Sequence, residues 1–206
     1  ALNVLGISEL RKILILINMS SLASRVDKKI FNLNSYWEHH CSTGLIASKI
    51  ALMCQYKDPS EAFTMGILHD LGKLMTAIFQ PQAWQSIQKK AREQGCPDHE
   101  AENSYWGIDH AIAGAMVLRK WNLPESIIEA ISWHHNPSGA SEEYRTAASI
   151  LSLANLMSHE IKGDQTLMAQ ELFTSLDIDP HEALQNAEAA LKSPEYSGLK
   201  TMLNSF

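Results

Sequence analysis

Apolar residues recur every three to four positions along nearly the whole chain, and no stretch alternates cleanly between polar and apolar for long. That periodicity predicts helices and no strands. Leu10, Ile13, Leu14, Ile17 and Leu22 share one helical stripe, with Ser8 as its cap. A polar stretch over 25–34 leads into a helix over 35–55. Asp58-Pro59-Ser60-Glu61 opens another that continues to about Phe79, and Pro81 opens a more polar one ending near Gly95. Residues 95–107 read as a loop holding at most a short helix. Asp109 caps a helix from His110 to Trp121, and Pro124-Glu125 starts the next, which must stop near His135 because Asn136 precedes Pro137. Two further helices are expected over 144–161 and 180–192, the second with Asp179 as cap and Pro180 at its first position. The expected fold is all-α, a multi-helix single domain over 1–206 without internal repeats.

The chain has 206 residues, of which 45% are hydrophobic and 19% charged, enough apolar content for a core and no composition that suggests disorder. A net charge of −6 and a pI near 5.8 argue against a DNA-backbone binder, which needs clustered Lys and Arg. The Lys89-Lys90-x-Arg92 cluster is interleaved with Glu93, Glu100 and Glu102 and reads as a mixed-charge solvated face. Cys41, Cys54 and Cys96 are odd in number and lack C-x-x-C spacing, which suits packing residues in a reducing cytoplasm. The uncharged run over 13–24 is shorter than the roughly 20 apolar residues a membrane span needs, so no membrane role is expected. Ala1 lies within helix-like sequence, from which missing upstream helices are expected.

The candidate chemistry lies in six scattered positions: His39, His69-Asp70, His110 and His134-His135. Each falls in an apolar, helix-patterned segment where a lone polar group is costly to bury, and a shared metal site would satisfy them together. Successive helix residues diverge by about 100°, so His69 and Asp70 point apart unless something draws both inward. Gly66 and Gly72 flank the pair, and each costs about 1 kcal/mol relative to Ala inside a helix, which suggests a close neighbour. His40, His99, His159 and His181 are taken as surface residues, and the five tryptophans, Trp37, Trp84, Trp106, Trp121 and Trp133, as core packing. Lys73, one turn beyond Asp70, reads either as a solvated surface lysine or as a phosphate-facing cation.

His69-Asp70-Leu71-Gly72-Lys73 resembles the signature of the HD superfamily of metal-dependent phosphohydrolases. Trp37-Glu38-His39, His110-Ala111-x-x-Gly114-Ala115, Trp121-x-Leu123-Pro124-Glu125 and Ala130-Ile131-x-x-His134-His135-x-Pro137 are together similar to its HDOD branch, the HD-related output domains of bacterial signalling proteins. Leu5-Gly6-x-x-x-Leu10-Arg11 also resembles a family motif. The likeness is strongest over 1–157, leaving 158–206 as a helical extension expected to pack on it. By analogy with the related HD-GYP enzymes, it implies metal ligands at His39, His69, Asp70, His110, His134 and His135. It implies one or two divalent transition metal ions: iron, zinc, nickel or manganese. The chain departs from HD-GYP enzymes in two places, with Asn136 and no Gly-Tyr-Pro loop after the double histidine, and with Asn155 where the late aspartate aligns. Asn155 is thus a weak ligand, and two divalent ions against Asp70 alone would leave roughly +3, which a second carboxylate would lower to about +2.

Three functions follow. The first is a bacterial signal-transduction output domain with a degenerate, non-catalytic site that engages a signalling protein or a nucleotide second messenger. The second is a phosphohydrolase acting on a nucleotide or cyclic dinucleotide, with Asp70 and Lys73 in catalytic roles. The third is a polar network that is purely structural.

Overall fold

The computed structural model describes residues 7–161 and 170–204; Leu5 and Gly6 of the first family-like motif lie outside them. Among the described residues there are twelve α-helices and no strand: α1 (Ile7–Ala23), α2 (Leu33–Met53), α3 (Pro59–Leu68), α4 (Leu71–Phe79), α5 (Pro81–Gln94), α6 (Asp98–Trp106), α7 (His110–Lys120), α8 (Glu125–Ser132), α9 (Arg145–Ile161), α10 (Gln170–Leu176), α11 (Pro180–Leu191) and α12 (Pro194–Asn204).

Local signals set most boundaries. Asp58 accepts from the amides of Ser60 and Glu61 at 3.0 and 3.1 Å, with Pro59 at the first position of α3. Asp109 accepts from Ile112 and Asp179 from Glu182, as their positions predict. α1 begins at Ile7, one residue before Ser8. Residues 98–106 form a full helix rather than a loop, and α10 and α12 have no counterpart among the predicted elements.

α2 is the axis of the fold. Every residue from His40 to Ala47 is buried, so this helix is enclosed all round instead of presenting one apolar stripe. It contributes Trp37, Cys41 and Leu45 to one core with α3, α4, α7 and α8, and Ile46, Ala47, Ile50 and Ala51 to a second core with α9, α10 and α11. The C-terminal helices α11 and α12 both pack against α2.

Two backbone crossings need glycine. A Cβ on Gly66 of α3 would lie 2.5 Å from Gly44 Cα of α2, and one on Gly72 of α4 would lie 2.1 Å from the carbonyl oxygen of His110 at the head of α7. Both distances are far inside contact range, so these residues let α3 press on α2 and α4 press on α7. Both crossings border the His69-Asp70 pair.

No helix is long and apolar enough to cross a membrane among the described residues. Cys41 is buried, and Cys54 and Cys96 are half-buried against apolar neighbours. Trp37 and Trp84 are buried as expected, but Trp106 and Trp121 are 43% and 48% exposed, so core packing does not account for these two.

Candidate metal centre

The helix expected to run unbroken from Asp58 to Phe79 is interrupted at His69-Asp70, where α3 ends and α4 begins. Asp70 has φ −102° and ψ 20°, outside helical values, and its carbonyl accepts from Lys73 N in a tight turn. The break answers the geometric problem of two adjacent inward-facing groups, since it re-aims Asp70 towards the side His69 already faces. α2 supplies His39, the first residue of α7 is His110, and His134 and His135 follow the end of α8.

These six side chains converge into two clusters, His39, His69 and Asp70 in one, and His110, His134 and His135 in the other. Asp70 lies between them. Its Oδ2 is 3.9 Å from His39 Nε2 and 3.6 Å from His69 Nε2, while its Oδ1 is 2.9 Å from His110 Nε2 and 3.8 Å from His134 Nε2. The approach to His110 lacks hydrogen-bond alignment, and Oδ1 and His134 Nε2 are buried polar atoms without a hydrogen-bond partner. Within the clusters, His39 Nε2 is 3.0 Å from His69 Nε2, and His135 Nε2 is 2.9 Å from His110 Nε2.

The opposite edge of each ring explains why these nitrogens face one another. His69 Nδ1 is 2.8 Å from the Gly66 carbonyl and His134 Nδ1 is 2.8 Å from the Ile131 carbonyl. Carbonyls only accept, so both rings carry their proton on Nδ1. Ser158 donates to the Asn155 carbonyl, which leaves its oxygen to accept from His39 Nδ1 at 3.1 Å. Glu102 Oε2 accepts from His110 Nδ1 at 2.6 Å and from the His110 amide at 2.7 Å. In the neutral form of each of the four rings the Nε2 lone pair is therefore directed at the shared centre, which is how metal-ligating histidines are oriented by their outer partners.

Charge follows the same plan. Burial lowers His69 and His134 to about 3, and burial together with neighbouring rings lowers His39, so all three stay neutral. His135 is likewise lowered by burial and by His134. His110 is the exception: burial and Lys73 push it down, but Asp70 and Glu102 bring it up to about 8. Burial would raise the Asp70 carboxyl, yet His69, Lys73 and His110 hold it well below the usual carboxylate range.

Several residues are not where the sequence suggested. Lys73 is no solvated surface lysine: its side chain is 20% exposed and its Nζ lies 2.9 Å from Asp70 Oδ2 and 3.6 Å from Asp98 Oδ2. Glu102 is buried against His110, so it belongs to the centre and not to a solvated face. Asp70 is thus not the only anion nearby. His40 is fully buried, its Nδ1 donates to the Tyr36 carbonyl and its ring stacks on His69. His99 stacks on His135 at 4.1 Å and the His159 ring lies tilted against His39 at 4.5 Å, both half-buried, whereas His181 is exposed as expected. Asn155 Oδ1 is buried without a hydrogen-bond partner and lines a cavity with His134 and His135. A second cavity, of about 760 Å³, opens beside His39, Asp70 and Lys73.

The donor set fits a divalent transition metal: imidazole nitrogens with pre-set lone pairs, one shared carboxylate and unpartnered buried atoms at the focus. The clusters could hold metal.

The architecture is shared with solved structures. A candidate phosphohydrolase from Shewanella amazonensis SB2B superposes with a TM-score of 0.77 at 22% identity, covering 97% of this chain and 73% of that one. A candidate signal transduction protein from Marinobacter aquaeolei VT8 superposes with a TM-score of 0.72 at 18% identity, covering 82% of this chain and 39% of that one. An uncharacterized protein of Treponema pallidum (strain Nichols) is 26% identical over 136 residues, 65% of this chain. The chain spans only 26% of the length of that curated relative. The HDOD domain matches residues 1–137, from α1 to the end of the double-histidine motif, and on that match this chain belongs to the HDOD domain family.

Proposed function

We propose that this chain is a bacterial signal-transduction output domain whose His/Asp centre holds metal without turning over a substrate. One observation carries the reading: Asp70 divides its two oxygens between the clusters, so His110, His134, His135 and Asp70 Oδ1 together form four protein donors. Catalytic sites of this kind keep a position for water or substrate, whereas sites filled by protein donors are structural. On the other side Lys73 holds Asp70 Oδ2, adding a positive charge where a second divalent ion would need a negative one. Asn155 offers a carbonyl oxygen and no charge. The similarity to the Marinobacter signal transduction protein agrees with this role.

His39, His69, Asp70, His110, His134 and His135 would hold one or two ions of iron, zinc, nickel or manganese, with Asn155 as a weaker donor. Bound metal would supply Lewis acidity and lower the pKa of any coordinated water. This chain's own residues fix the rings: Gly66 and Ile131 through carbonyls, Ser158 through its hydroxyl, and Glu102 through its carboxylate. The output would be read by a signalling protein or a nucleotide second messenger, and three free cysteines suit the cytoplasm.

The second reading, a phosphohydrolase, draws on the cavity beside Asp70 and Lys73 and on the similarity to the Shewanella candidate phosphohydrolase. Elemental analysis of protein purified without added metal, followed by assays with bis-p-nitrophenyl phosphate and cyclic di-GMP, separates the two. Bound transition metal without turnover is the expected result. Turnover abolished by Asp70→Ala would establish the enzyme instead, and absence of metal from both clusters would refute a metal-holding role.

A further inference from the structure

The 760 Å³ cavity beside the centre has a second charged wall. Gln85, Gln88, Lys89 and Arg92 fall at i, i+3, i+4 and i+7 of α5, so one stripe of that helix faces the cavity, and Lys29 joins it from the connection between α1 and α2. Lys89 pairs with Glu93 at the surface, whereas neither Lys29 nor Arg92 forms an ion pair among the described residues. Lys73 lines the same cavity from α4, held by Asp70 and Asp98. Tyr36 also lines this cavity, and its buried hydroxyl has no hydrogen-bond partner. In a chain with a net charge of −6, this cavity is lined by four cations, Lys29, Lys73, Lys89 and Arg92, against two carboxylates, Asp70 and Asp98. Its volume is within the usual range for pockets that take small organic ligands.

We propose that this cavity binds a small phosphorylated ligand with two separated anionic groups, one facing Lys73 and the metal centre and the other held by Lys29 and Arg92. The first contact rests on the function proposed above, but the Lys29–Arg92 subsite does not. Arg92 can meet two phosphate oxygens at once and Lys29 adds a point charge, a pairing suited to a phosphate.

The test uses fructose 6-phosphate and fructose 1,6-bisphosphate as singly and doubly phosphorylated probes, titrated calorimetrically into the whole chain after its metal content has been measured. The bisphosphate is expected to bind about tenfold more tightly, the scale of one charge-assisted contact. Lys29→Ala with Arg92→Ala should erase that preference while leaving monophosphate affinity and metal content unchanged. Lys57→Ala with Lys120→Ala, equal in charge but outside the cavity, should retain it. Equal binding of the two probes, no binding of either, a preference that survives in the Lys29/Arg92 variant, or an equal loss in the Lys57/Lys120 variant would each overturn the inference. A metal-free wild type that still prefers the bisphosphate would refute the metal centre and uphold the subsite.

Discussion

Replacing Gly72 with Ala tests the tightest glycine contact among the described residues and its link to the centre. The added methyl would lie 2.1 Å from the His110 carbonyl oxygen, whereas ordinary contact begins at 3.4 Å, so α4 and α7 must separate by about 1.3 Å. Helix propensity favours Ala over Gly by about 1 kcal/mol, but overpacking against rigid backbone costs about 1–3 kcal/mol or more, so a net loss is expected. The displaced group is the first residue of α7, whose ring lies 2.9 Å from Asp70 Oδ1, so the same shift should weaken metal retention. Gly198→Ala in α12 is the matched control, since its methyl would meet nothing within 4 Å and it should stabilise by about 0.5–1 kcal/mol. Urea denaturation of the three proteins, with metal content measured in parallel, gives both readouts. A Gly72→Ala protein as stable and as metal-loaded as the wild type would refute the claim that this crossing positions His110.

Three further outcomes are expected. Glu102→Gln keeps the volume but removes the carboxylate behind His110, and it should lower metal affinity about ten- to a hundredfold in a chelator competition titration; unchanged affinity would detach Glu102 from the centre. Lys73→Met frees Asp70 Oδ2 and removes a positive charge, so the same titration should show tighter binding, and weaker binding would mean that Lys73 supports the site. In metal-free protein, His69 and His134 have folded values lowered to about 3, so their stabilisation is present above the unfolded value and lost as pH falls through the folded one. With unfolded histidine near 6.5, each ring should cost roughly 2 kcal/mol between pH 7 and pH 5. His110, raised to about 8, acts the other way, with its contribution complete below the unfolded value and lost as pH rises through about 8. Denaturation with a chelator present should therefore show lower stability at pH 5, and an unchanged or raised midpoint would contradict the neutral state of the two rings.

The six convergent side chains were legible because each is a polar residue in an apolar helical segment, and because the HD-like motifs order them. Glu102 was not legible. Its helix, Asp98–Trp106, contains so few apolar residues that no periodicity marks it, and only the acidic first turn after Pro97 hints at a helix start. The histidines His40, His99 and His159 failed for a different reason: their rings lie against residues distant in sequence, which no local pattern records. The interruption at His69-Asp70 escaped because its residues suit a continuous helix, and only the demand for convergence breaks it. Lys73 looked solvated by composition, yet Asp98 and Asp70 hold it from two elements.

His39 stands beside Glu38, which pairs with Lys200 of α12, and Ser42, one turn further along α2, meets the Tyr196 hydroxyl of the same C-terminal helix. The last helix and the first imidazole of the centre are therefore geared to one shaft. Turning α2 by a single residue step, about 100°, would swing His39 out of register with His69 and tear α12 from its anchors in the same motion. A displacement of α12 that carried α2 with it would therefore move His39 against His69.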